Sequence, residues 1–577
     1  MTARRGARAS LALGCLVAVA ALVAGCASIP TASTVRQGDE VLAGGQDDPF
    51  IRVLARPPVD GMSQRQIVAG FLEASASFDG NHEVARQYLA PEVRGSWDPS
   101  SGTVVYDGAS VVFSEDPAAN TVVVRAPEVA RISDRGEYAA SGPGVALAAD
   151  FALRLVDDEW RIAAAPAGLA LTTLDVSRAF RPYNLYFLDP TGSRLVPDQV
   201  FVPVQQSGIA TTLVRSVLLG PTPWLAPAVS TAVPPGTSLT VDSVPVEARV
   251  ARVDLSAEAL DSAPEARERM SAQLVWTLRQ LPEVSQIDLT VNGVDLQVPG
   301  AANPQTRNSW PEYDPDGFPA GGPSGYAVQD GAWVALGEPS VPVSGPLGSG
   351  SPAVSRAAIS PEGDRVAAVV GGSRLVAGPV DAPVEVAGIG GAAVTSLSWD
   401  PLGTVWVTEQ RAAGSVISAV GVDGVSRAVA APELEGRQVA LVRLARDGCR
   451  AAIVAAGADG GPGQLYLARV VRGADGALAL EALRRVESTL VSVSDAAWRD
   501  ADRIVALGRD GRGVEQPFLV SGDGGAVRVT GTLPALISLA AAPGSPLLGA
   551  TADGRLWADN GTGWSLLGPG RAPAYPG

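Results

Sequence analysis

An apolar run over residues 11–25 opens the chain behind Arg4, Arg5 and Arg8, and from residue 27 to about 58 hydrophobic periodicity is lost. From Ser63 apolar residues return at helical spacing, with Ile67, Phe71, Leu72 and Ala74 on one side of a helix that starts on a capping serine. A second helix is predicted over residues 82–89, ended by Pro91. Short alternating runs follow at 104–106, 109–113, 121–126, 151–156 and 160–163. Two helices followed by a meander of strands predict a cone-shaped α+β domain over residues 59–177.

The next pattern, over residues 178–300, mixes helix and strand. YNLYFLDPTGSRLVP at 183–197 reads as strand, turn and strand. Residues 209–219 read as an amphipathic helix with Ile209, Leu213, Val217 and Leu218 on one side. Residues 265–281 read as a second helix with Met270, Leu274, Leu278 and Leu281 inward. Apolar residues then alternate on both sides of Asn292-Gly293, which predicts a hairpin with a two-residue type I′ turn. Residues 301–323, with five prolines and several glycines, read as a linker.

Beyond the linker the chain repeats itself. ISPEGDRVAAVV, WDPLGTVWVTE, LARDGCRAAIVAA, WRDADRIVALG and AAPGSPLLGAT share one layout, a strand entering a turn and a β-rich strand leaving it. With Gly363, Gly403, Gly448, Asp502 and Gly544 as the turn positions, the spacings are 40, 45, 54 and 42 residues. That period predicts an all-β propeller over residues 324–577, with five visible blades and GYAVQDGAWVAL near Tyr326 starting a sixth or closing the ring. Trp399, Trp406, Trp498, Trp557 and Trp564 are expected to pack between blades rather than line a sugar site.

Composition removes much chemistry from consideration. All 44 basic residues are Arg, so no lysine is available for a phosphate loop or a Schiff base. The formal charge is −16, and residues 1–25 carry three Arg and no acid, which leaves −19 for the rest. Such a surface repels nucleic acid and anionic headgroups, so membrane attachment must rest on acyl chains. Of the three cysteines, Cys15 and Cys26 lie in or beside the apolar leader, and Cys449 is left as a lone, buried structural thiol. His82, the only histidine, reads as a polar residue at a helix start, with no second His to build a metal site or a triad. No catalytic, cofactor-binding or metal-binding set is read from the sequence. Glu362, Asp364, Asp400, Asp447 and Asp500 fall in turns, where solvent exposure is expected.

Leu22-Val23-Ala24-Gly25-Cys26 resembles the bacterial lipobox. The resemblance implies cleavage between Gly25 and Cys26 after a 1–25 signal peptide, with Cys26 becoming an S-diacylglycerol and N-palmitoyl cysteine. The competing reading is an ordinary signal peptide cut near Ala24 to Ala27, leaving a free thiol. At 15 residues the apolar run is shorter than the roughly 20 that a spanning helix prefers. Residues 26–58 then form a tether with an r.m.s. reach of roughly 30 Å.

The 59–177 pattern is similar to the nuclear-transport-factor-2-like (NTF2-like) fold, which admits an unknown small ligand between helix and sheet, although a filled core is the plainer reading. LLGPT at Leu218, PPGT at Pro234, VARVDLS and QLVWTLRQLPEVSQIDLTVNG resemble the GerMN domain, which implies an α/β fold and no reaction. Lipobox, cone, GerMN domain and propeller, in that order, resemble the actinobacterial LpqB lipoproteins. That resemblance implies an accessory lipoprotein, not an enzyme, on the outer face of the cytoplasmic membrane. Its implied partner is the extracytoplasmic domain of the sensor histidine kinase MtrB of the MtrAB system, which is linked to cell-wall growth and division. The alternative is a cell-envelope glycan-binding protein or a propeller glycosidase using carboxylates in the central channel.

Overall fold

The computed structural model describes residues 55–142, 144–204, 208–317, 323–390, 392–457, 459–486, 490–522 and 527–577, all within one compact unit. The signal, Gly25, Cys26 and the tether up to residue 54 lie outside the described residues.

The first helix, Gln64–Ser75, begins at a capping box in which Ser63 and Gln66 each satisfy the other's backbone N–H. Its buried face carries Ile67, Val68, Phe71 and Leu72. The second helix is shorter than expected, Glu83–Gln87, and Pro91 starts a further turn, Pro91–Arg94, rather than ending one. Across the helices runs a sheet in the order Glu159–Ala164, Ala146–Val156, Thr121–Ile132, Thr103–Tyr106, Leu169–Thr172, with Val112–Asp116 and Tyr138–Ala140 also pairing with Thr121–Ile132. Phe71 meets Trp97 and Phe151 edge to face at centroid distances of 5.1 and 5.9 Å. Between helix and sheet the space is filled by such side chains.

In the GerMN-like middle domain, strands Val250–Leu255 and Gln286–Val291 pair in parallel, and the helix Pro264–Leu278 is the crossover between them. Asn292 and Gly293 have φ of 49° and 77°, the left-handed pair that a type I′ turn requires, and Val291 faces Val294 across it. A long hairpin, Phe180–Leu188 with Leu195–Pro203, and the helix Ile209–Leu218 complete the domain.

Residues 301–317 are a correction to the expected linker. Gln305–Thr306 pairs with Gln286 and Ile287, and Trp310 and Tyr313 are buried in the middle domain's core. Trp310 donates its indole N–H to Gln305 Oε1 at 2.6 Å, Trp276 donates to the carbonyl of Trp310 at 3.0 Å, and Tyr313 donates to Glu268 at 2.7 Å. The prolines shape this strap, and the two aromatics fasten it over the crossover helix.

Among the described residues the remainder is a propeller of six four-stranded blades. In the first blade Tyr326–Gln329, Ala332–Ala335 and Val341–Pro342 form the outer three strands, and Arg571–Ala574 from the chain's far end supplies the innermost. The ring is therefore closed by strands from both ends of the domain. Gly363, Gly403, Gly448 and Gly544 all adopt positive φ, between 65° and 79°, as turns between first and second strands require.

Candidate functional site

The six inner strands surround a small cavity in which Arg356, Arg443, Asp495 and Ser538 stand among alanines and leucines, and two faces of the propeller differ in what covers them. On one face the first-to-second-strand turns of the fourth and fifth blades dock onto the middle domain. There Asp316 accepts from the backbone N–H of Ala501 at 2.7 Å, and Asn184 donates to Asp502 at 2.8 Å. Ser521 donates to Gln199 at 3.0 Å. Cys449 lies within this junction. It is fully buried against Val196, Leu225 and Ala228 of the middle domain, and burial pushes its thiol well above the ordinary range. The thiol is thus an apolar packing group, and its burial was expected from sequence, whereas its place between domains was not.

The N-terminal domain joins the same assembly. Arg484, from the outer strand of the fourth blade, forms an ion pair with Glu137 at 2.5 Å and lies 4.1 Å over the ring of Trp224. Trp224 donates its indole N–H to the carbonyl of Ala482 at 2.8 Å, and Arg469 donates to the carbonyl of Trp224 at 3.0 Å. Tyr138 and Phe201 stack at 5.0 Å, and Phe201 donates its backbone N–H to Gly136 at 2.8 Å. One arginine therefore ties all three domains together.

The other residues singled out in the sequence divide into distinct roles. His82 has φ of 60°, is buried beside Phe78 and Trp97, and has its pKa lowered to about 4 by burial. It stands at the start of the helix Glu83–Gln87, as read from the sequence, and there it is a neutral member of the core. Glu362 and Asp364 are exposed in their turn, but Asp400 and Asp447 are buried, which corrects the expectation of solvent exposure. Asp400 accepts from the backbone N–H groups of Leu402 and Thr404, both at 2.9 Å, and pairs with Arg472 at 3.0 Å. Asp447 accepts from Cys449 N–H at 2.7 Å and pairs with Arg450 at 2.5 Å. Asp500 binds Arg503, and burial together with the neighbouring Asp502 pushes it up to about 8. These carboxylates brace turns.

Trp399, Trp406, Trp498 and Trp564 pack between adjacent blades, as expected. Trp399 donates to the carbonyl of Ala358 at 3.1 Å and Trp498 to that of Arg443 at 3.0 Å, each reaching the preceding blade's inner strand. Trp557 is half-buried and donates to Thr551. A cleft of about 1240 Å³ separates the N-terminal and middle domains, with His82, Arg135 and Arg215 in its wall. Among the described residues no group of three or more His, Cys, Asp or Glu is placed to hold a metal ion.

Comparison with known proteins places the architecture. Residues 57–177 match the family model for the lipoprotein LpqB N-terminal domain, residues 184–297 one described as sporulation and spore germination, and residues 331–576 the lipoprotein LpqB beta-propeller domain. The lipoprotein LpqB of Thermobifida fusca is 35% identical over 99% of both chains. The chain belongs to the LpqB lipoprotein family. The Mycobacterium tuberculosis LpqB is 29% identical, with 97% of this chain and 98% of that one covered. Among solved structures, TolB from Acinetobacter baumannii is 16% identical over 45% of this chain and 68% of its own, with a TM-score of 0.36. The first GerMN domain of GerM from Bacillus subtilis is 21% identical over 22% of this chain and 95% of its own, with a TM-score of 0.18. As a member of a lipoprotein family the chain is membrane-anchored, and among the described residues no helix is long and apolar enough to cross a membrane.

Proposed function

We propose that this LpqB-family chain is a non-catalytic accessory protein, held by lipidated Cys26 at the outer face of the cytoplasmic membrane. There it binds the extracytoplasmic domain of the MtrB sensor kinase and biases that kinase between signalling states by binding one state more tightly. The observation that carries this reading is the three-domain junction at Arg484, Trp224 and Glu137. It joins three folds into one preformed surface, which suits a protein that presents a face to a partner. A rigid face loses little conformational freedom on binding.

The glycosidase alternative needs a pair of carboxylates, about 5–5.5 Å apart for retention and roughly 6.5–9.5 Å for inversion. Among the described residues lining the channel cavity, Asp495 is the one side-chain carboxylate, and its neighbours are Arg356 and Arg443. That favours binding over hydrolysis. The test is the phosphorylation of the response regulator MtrA in membranes from cells lacking this protein, complemented with the wild type or with Cys26→Ala. The reading expects altered phosphorylation that only the anchored form restores. Identical phosphorylation in all three would end it.

A further inference from the structure

The inner strands of the second to sixth blades share a feature that the apolar repeat conceals. Each has a register irregularity near its start, immediately before Arg356, Ser396, Leu441, Asp495 and Ser538 in turn. A bulge re-aims the side chains that follow it, and Arg356, Asp495 and Ser538 all line the channel cavity of about 80 Å³.

At two of these five positions a side-chain acceptor braces the next blade. Ser396 Oγ accepts from the N–H of Val442 at 3.0 Å, and Asp495 accepts from the N–H of Leu539 at 2.7 Å. Arg356 cannot play that part, because a guanidinium has donors and no acceptor. Among the described residues it makes no hydrogen bond or ion pair, although it lies close enough to Asp495 for the two charges to influence each other. Asp495 is already engaged twice, accepting from Leu539 and from its neighbour Ala496 at 2.9 Å.

Arg443, two residues beyond the repeated position, also faces the cavity and donates to the carbonyl of Leu397. Ser538 Oγ is buried without a partner. The cavity therefore gathers two guanidinium groups, one carboxylate with both oxygens engaged, and a free hydroxyl. Arg446, at the end facing the middle domain, lies beside Gly577 and donates to the carbonyl of Pro576 at 2.7 Å, so it closes that end. Sheltered guanidinium groups without an anion are costly, and their forked donors match oxyanions.

We propose that the propeller channel is a binding site for a small oxyanion, held by the guanidinium groups of Arg356 and Arg443 and by the hydroxyl of Ser538. A cavity of about 80 Å³ has room for several water-sized groups, which admits a free anion or the terminal oxyanion of a longer molecule. Such a ligand enters from the face away from the middle domain.

The experiment follows thermal unfolding of the full chain in detergent, titrated with inorganic phosphate, sulfate or acetate against chloride at matched ionic strength. At least one oxyanion is expected to give a saturable rise in Tm. Arg356→Met abolishes that rise, and Ser538→Ala shifts its midpoint several-fold to higher concentration while leaving the charges in place. Glycerol 3-phosphate separates the two sources: a rise equal to that with phosphate identifies a terminal group, and a rise with phosphate alone identifies a free anion. If Arg356→Met does not fold, the Ser538→Ala midpoint decides. A rise that is linear and equal in wild type and variants is a general salt effect and overturns the proposal, as does no rise with any of the three.

Discussion

Replacing Arg484 with Ala should loosen the N-terminal domain from the rest of the molecule. Three interactions leave with the side chain: the ion pair to Glu137 at 2.5 Å, the stacking over Trp224 at 4.1 Å, and a hydrogen bond to the carbonyl of Tyr138 at 3.4 Å. The ion-pair side chains are 17% and 19% exposed, sheltered enough for a charge-assisted bond worth roughly 1.5–3 kcal/mol, and the half-desolvated cation–π contact adds about 1 kcal/mol. Stranding Glu137 prevents simple addition, and a total of about 2–4 kcal/mol is expected. That changes the ratio of docked to undocked forms by roughly 30- to 700-fold. Scanning calorimetry should show the first unfolding transition lowered by on the order of 10 °C. Limited proteolysis should release a fragment ending near residue 180 that the wild type protects. The double mutant with Glu137→Gln should recover a coupling of about 1–2 kcal/mol. If Arg484→Ala unfolds within about 0.5 kcal/mol of wild type, with unchanged proteolysis, the junction does not hold the domains and the single-surface account is refuted.

Further outcomes follow from other sites. Trp310→Ala should cost about 3–5 kcal/mol in chemical denaturation, the range for a buried aromatic, whereas a linker residue would cost almost nothing. Burial pushes Asp198 up to about 6 from an ordinary 3.8, so the folded state holds that proton more tightly than the unfolded chain. Stability then falls as pH rises from about 4 through about 6 and levels off above. Asp198→Asn keeps an acceptor for the Thr222 N–H and should gain about 1–3 kcal/mol at pH 8, with no gain at pH 4. Cys449 should resist maleimide at pH 7.5 in the folded protein and react fully in denaturant. Cys26→Ala should move the protein from the membrane fraction to the soluble one.

Much of this architecture was legible from period alone. The 3.6-residue spacing of Ile67, Phe71 and Ala74, the alternation around Asn292-Gly293 and the repeat in the last third each carry a local cause that tertiary structure did not override. What was missed depends on partners remote in sequence. Trp310 and Tyr313 looked like linker residues because prolines surround them, and only their fit over the helix Pro264–Leu278 makes them core. The pair of aromatics three residues apart was the available signal. The first blade was ambiguous because its inner strand, Arg571–Ala574, comes from the far end of the chain.

The polar interior was hidden for a different reason. Asp400 and Asp447 sit in turns, and a turn residue is exposed unless another element covers it, as Arg472 and Arg450 do here. Arg356 and Asp495 lie in strands otherwise rich in alanine and valine, and the bulges that aim them at the channel are properties of the folded ladder. The candidate functional surface is likewise a product of assembly. Arg484, Trp224 and Glu137 are widely separated in the chain, and no motif joins them.

The central claim is that this protein acts as one body by meeting the extracytoplasmic domain of a sensor kinase. Its most direct test is crosslinking in native membranes, with photoreactive residues placed singly on each domain's surface. The account predicts crosslinks to MtrB from a contiguous face, lost when Cys26→Ala frees the protein. Crosslinks only to wall fragments, or none to the kinase from any domain, would contradict it.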